Sequence, residues 1–184
     1  MLIRAYVALD SFLLDRANDV TKAWNWTTGR TRADLATLIS VPAFSSLPAS
    51  YFINGAYGTA LFFGALSGLL IFLYIDTFIK MDRLESGALN SDTKNLELEV
   101  VKNKYKIYGP IFNLLGFASL VRPNSENLHP LSNEISSVFG FGIGTTMYVM
   151  RTDYQAPRKN VVVRAKDKLA DMLRQPTTIP LQHF

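Results

Sequence analysis

Side chains able to do chemistry are few in this chain. Histidine occurs only as His129 and His183, and cysteine is absent from all 184 residues. That absence excludes thiol catalysis, zinc–thiolate centres, thiolate-held iron–sulfur clusters and disulfides. A haem or metal site built from two histidines would be short of ligands. His129 lies in a Pro/Asn-rich turn, where capping or solvation is its ordinary role, and His183 stands next to the C-terminus. Serine and threonine are plentiful, but no base is spaced to activate one. The run GFGIG, Gly140 to Gly144, has the glycine density of a phosphate loop. Such a loop needs a preceding strand, a following helix and, in the P-loop, a lysine. Here the flanks are apolar and Thr145-Thr146 follow without lysine, so the run reads as helix packing. Asp10, Asp34 and Asp76 are the acids nearest apolar sequence, and none falls inside an expected span. An acid at mid-membrane depth would have marked a proton path. The expectation is therefore a chain that is not an enzyme, with no catalytic, cofactor-binding or metal site.

What the sequence has to position is a set of packing faces. The dominant stretch is Ala56 to Ile75, twenty residues without a charge, inside a longer uncharged run between Asp34 and Asp76. As an α-helix rising ~1.5 Å per residue it is roughly 30 Å long, the thickness of a bilayer's hydrocarbon core. Ala56, Ala60, Gly64 and Gly68 recur every four residues and line one stripe of that helix. Small side chains in register let a second helix approach backbone to backbone. Ser136, Gly140 and Gly144 repeat the pattern in the third apolar stretch. These seven residues are the expected helix-packing interface.

The remaining elements follow from periodicity. Asp10 to Trp26 reads as a helix with Leu13, Ala17, Val20 and Trp24 on one face. Trp24 and Trp26, the only tryptophans, are its expected interfacial anchors, because indole favours the headgroup boundary. Packing on another subunit is the alternative for this face. The N-terminal MLIRAYVALDSFLL carries Asp10 within its apolar stretch and reads as retained structure rather than a signal peptide. Gly29 stops the first helix, and Thr31 with Asp34 starts a second. Pro42 is expected to end that second helix by Val41, leaving VPAFSSLPAS as a connector. Lys80 to Asn90 reads as a loop. A long helix from near Asp92 carries Leu98, Val101, Tyr105, Tyr108, Phe112, Leu115 and Ser119 on one stripe, with a kink at Gly109-Pro110. Its apolar half, Ile107 to Val121, and the later stretch Ile135 to Met150 have fifteen and sixteen residues. Both are short for a span, so they form two tilted spans, the preferred reading, or a re-entrant hairpin around the turn Arg122 to Glu134. In the basic tail, Val162, Ala165, Leu169, Met172 and Leu173 share a helix side, ended by Pro176 and Pro180.

The expected fold class is thus an all-α integral membrane protein with about three transmembrane helices, amphipathic N-terminal helices and a basic soluble tail. Its parts are residues 1–50, the main span 51–79, a polar loop and helix extension 80–106, two short spans 107–150 and the tail 151–184. Hydrophobic residues make up 48% and charged residues 18%, below the roughly 25% charged of soluble domains. The net charge of +4 is distributed as loops beside spans would carry it and shows no nucleic-acid signature. Lys and Arg number five before the main span, six from Lys80 to Lys106, one at Arg122 and seven from Arg151. With three spans, that places the tail in the cytoplasm or matrix and the N-terminus opposite, in a bacterial inner membrane or an organellar inner membrane. The expected function is a non-catalytic accessory or structural subunit of a larger membrane complex. Its partners would be other membrane subunits, with lipid at the N-terminal helix and no nucleic acid. The alternative is a small self-associating channel or transporter component, in which Asn113 and the glycine-rich third stretch line a watery path.

Overall fold

The computed structural model describes residues 2–88, 94–123 and 128–174. These form six helices and, among the described residues, no strand: α1 Leu2–Thr28, α2 Arg32–Ile53, α3 Tyr57–Glu85, α4 Lys94–Val121, α5 Ser132–Arg151 and α6 Val161–Arg174. The expected helix start at Asp92, His183, and Pro176 with Pro180 lie outside the described residues, as does the side chain of Leu173.

Four helices stand side by side in the order α3, α2, α5, α4, with α2 and α5 in the middle. An edge-to-face aromatic chain crosses all four. Phe78 meets Tyr74 at 5.6 Å within α3, Tyr74 meets Phe44 of α2 at 5.2 Å, Phe44 meets Phe139 of α5 at 5.9 Å, and Phe139 meets Phe112 of α4 at 6.0 Å. Each such pair contributes about 0.5–1.5 kcal/mol beyond the burial of its area. The two central contacts depend on small residues. Gly142 of α5 is seated on Ala43 of α2, whose side chain is fully buried. Gly140 and Gly144 face Gly116 and Asn113 of α4. At Gly140 an added Cβ would collide with the Gly116 backbone, so the α4–α5 crossing admits only glycine there.

α2 departs from the sequence expectation. It runs as one helix through Pro42 and Pro48, where a connector is expected. A proline inside a helix removes a donor, but α2 is held on both sides by α3 and α5. Ser45 and Ser46 also donate to the carbonyls of Val41 and Ala43, at 2.8 and 2.7 Å. Neighbouring helices and serine hydroxyls are the usual means by which a packed apolar helix tolerates proline. α2 and α3 are both long and apolar enough to cross a membrane. α3 likewise extends to Glu85 through the stretch read as a loop, because Phe78, Met81 and Leu84 are buried there.

α1 and α2 are divided at Gly29, whose φ of +77° favours glycine. The same residue accepts a hydrogen bond from the Arg158 amide at 3.0 Å, and a Cβ there would strike the Arg158 carbonyl. At the start of α2, Asp34 accepts from the Thr31 amide at 3.1 Å, which places an acid at the positive end of the helix dipole.

Candidate functional site

The ends of the helix row differ in chemistry. At one end the termini of α2 and α5 are joined by neutral groups. Ser50 pairs with Ser136 at 2.9 Å and with Ser132 at 3.2 Å. Asn54 donates to Ser132 at 2.9 Å and accepts from the His129 amide at 2.7 Å. His129 is thus a turn residue, and its ring nitrogen accepts from the Leu131 amide.

The opposite end is ionic. Arg32, the first residue of α2, has no exposed surface. Its guanidinium reaches Asp82 of α3 at 3.2 Å, Glu85 of α3 at 2.6 Å and the carbonyl of Thr152 just past α5. Glu85 is shared with Lys102 of α4 at 2.6 Å, so one network ties four helix ends. A guanidinium suits this position because its planar fork serves several acceptors at once.

A second network attaches α1. Asp10 accepts both guanidinium nitrogens of Arg151, at 2.7 and 2.9 Å, and the Tyr148 hydroxyl at 2.8 Å. The Arg151 hydrogen bonds hold the Asp10 carboxyl below its ordinary value of 3.8, overcoming burial, which acts the other way. α1 continues over this end: the Tyr6 hydroxyl donates to the Lys106 carbonyl of α4, and Asn25 donates to the carbonyls of Arg30 and Ala156. The side of α1 turned to the protein is therefore polar, with Asp10, Thr21 and Asn25 buried around Ala17, while Val7, Leu9, Phe12 and Val20 are exposed. Beneath α1 lies an apolar groove of about 590 Å³, walled by α4 and α5.

The residues singled out in the sequence are distributed as follows. Ala60 is buried on the α2 side of α3, Gly64 is half-buried where an added Cβ would lie 4.0 Å from the Pro48 Cβ, and Ala56 precedes the helix. Gly68 opens onto free space. Gly140 and Gly144 lie in the α4–α5 crossing and Ser136 in the serine cluster. Trp24 is half-buried and donates to the Thr31 carbonyl at 3.2 Å. Trp26 is exposed, with the Arg164 guanidinium of α6 over its ring at 4.9 Å. Asn113 packs on Gly144 and also lines the groove.

Sequence reasoning missed both ion networks. A signal was present in two places. Asp10 interrupts an apolar stretch, and Arg151 is the first charge after the uncharged run that begins at Ile135. A charge abutting apolar sequence on the packed side of a helix requires an opposite partner. Chemically the arrangement is a clamp, since each buried carboxylate faces a cation. No family model, curated protein or solved structure matches the chain.

Proposed function

We propose that the chain is a non-catalytic structural subunit of a membrane protein complex, with α2, α3, α4 and α5 all crossing the bilayer. The observation that carries this reading is the division of positive charge between the two ends of the helix row. Five Lys and Arg precede or open α2, six fall between Lys80 and Lys106 and seven from Arg151 onward, all in segments joined to the ionic end. Arg122 alone belongs to the serine end. Retention of Lys and Arg on the cytoplasmic side produces such a division. Counting α2 as a span replaces the three-span arrangement and brings the N-terminus to the same cytoplasmic or matrix side as the tail.

The outer side of α3 supports both insertion and assembly. Leu61, Phe62 and Phe72 are 77%, 66% and 70% exposed, and a Cβ added at Gly68 on the same helix would meet nothing within 4 Å outside its own stretch of helix. A face of this kind is stable against lipid or against another apolar helix. The α6 stripe of Val162, Leu169 and Met172 is exposed as well, and an isolated helix of fourteen residues is marginal in water. Native mass measurement after gentle detergent extraction from its own membrane tests assembly. The expected result is a particle well above 20.6 kDa that is lost in Gly68→Leu while the chain itself still folds. A monodisperse monomer in the unsubstituted protein would overturn the subunit reading.

A further inference from the structure

The groove under α1 is built from unlike parts. Leu9 and Leu13 of α1 form one wall, Leu114 and Phe117 of α4 the other, and Phe141 and Thr145 of α5 the floor. Its volume of about 590 Å³ falls in the range of small-molecule sites. Leu9, Leu114 and Phe117 are each more than half exposed, so none of the described residues covers them.

The rim toward the ionic end is positive. Arg16 lines the groove, as does Tyr6, whose hydroxyl donates to the Lys106 carbonyl and so places Lys106 of α4 next to that wall. Asp10 directs its carboxylate at Arg151 and Tyr148. Asp19 approaches Arg16 at 3.5 Å, but both side chains are about two-thirds exposed, and a pair of that kind is weak. The matching ligand has a negative head and a hydrocarbon tail.

We infer that this groove holds one anionic phospholipid of the leaflet at the ionic end, its phosphate beside Arg16 and Lys106 and one acyl chain along Leu114, Phe117 and Phe141. The inference rests on the membrane reading above. Basic pockets between membrane helices on the cytoplasmic side select anionic headgroups in this way, and apolar walls exclude the water that would screen the contact. α1 is then held to the bundle by a lipid as well as by Asp10.

The test is native mass spectrometry of the full chain in neutral detergent, with dioleoylphosphatidylglycerol or dioleoylphosphatidylcholine added in turn. The expected result is one retained phosphatidylglycerol and at least tenfold less retained phosphatidylcholine. Thr145→Trp fills the floor and should reduce phosphatidylglycerol occupancy at least tenfold. Arg16→Gln with Lys106→Gln should abolish the preference between the two lipids. Val20→Trp narrows the same groove from α1 and replaces Thr145→Trp if circular dichroism shows that variant unfolded. Equal retention of the two lipids by the unsubstituted chain, or undiminished binding in a folded groove-filling variant, would overturn the inference. So would a dimer mass, in place of bound lipid, that the same variants abolish. Carbonate extraction separates this from the membrane reading: a chain that resists carbonate yet holds no phosphatidylglycerol overturns the lipid site alone. A chain released by carbonate overturns the membrane reading itself.

Discussion

Arg32→Leu is expected to destabilise the protein by about 3–5 kcal/mol, the cost of leaving buried carboxylates without their cation. For a chain of this size that corresponds to a fall of roughly 6–20 °C in the thermal midpoint. The effect is large because Arg32 is fully buried and serves Asp82, Glu85 and the Thr152 carbonyl together. Glu85 keeps Lys102, but Asp82 loses the one cation paired with it among the described residues, and its second oxygen is already buried without a partner among them. Arg32→Lys should recover only part of the loss, since an ammonium group lacks the planar fork that meets three acceptors. Removing the charges as a set, with Arg32→Met, Asp82→Asn and Glu85→Gln, should recover most of it, because the penalty lies in the unpaired groups. Circular dichroism melts in detergent read all three outcomes. An Arg32→Leu protein that melts with the unsubstituted chain would show that the network does not hold the helix ends.

Gly140→Ala is the second large effect, expected at about 3 kcal/mol, the upper part of the range for overpacking. The added Cβ would meet the Gly116 backbone nitrogen and Cα and the Phe112 carbonyl. None of these is a side chain that can swing aside, so α4 must move off α5. That displacement would also loosen the Phe112–Phe139 pair and the seat of Asn113 on Gly144. Gly68→Ala is the control. A Cβ added at Gly68 would meet no other atom within 4 Å outside its own stretch of helix, and alanine is the better helix former by about 1 kcal/mol, so the isolated chain should be unchanged or slightly stabilised. Equal losses at the two positions in the same melting experiment would refute the close crossing.

The fate of the two small-residue stripes shows what sequence can and cannot carry here. Four-residue spacing identified positions on a helix face, but it does not say which face meets a neighbour. Gly140 and Gly144 are used within the chain, whereas Gly68 is left open. α3 was legible as one long apolar run, and the alternating stripe from Leu98 to Ser119 does form the single helix α4. α2 was hidden because rules for proline assume a helix in water, without the packed neighbours that hold α2 on both sides. α1 was legible as a helix but not in its orientation. Of its expected face Ala17 is buried and Leu13 and Trp24 are half-buried, but Val20 is exposed and Asp10, Thr21 and Asn25 are buried as well, a polar lining that apolar periodicity does not reveal. The isolated charges Asp10 and Arg151 were visible in the sequence but their pairing was not, because Arg32 to Asp82 and Asp10 to Arg151 join residues 50 and 141 positions apart.

Sidedness is the most direct test of the account. The chain has no cysteine, so single cysteines can be placed without background and probed with a membrane-impermeant maleimide, in right-side-out and inverted vesicles. Arg4→Cys, Ser86→Cys and Ala156→Cys report on the ionic end, and Tyr57→Cys and Leu131→Cys on the serine end; all five positions are exposed. With α2 to α5 spanning the bilayer, the first three should label only from the cytoplasmic or matrix face and the last two only from the opposite face. Labelling of Arg4→Cys and Ala156→Cys from opposite faces, or of any of the five equally from both, would contradict it.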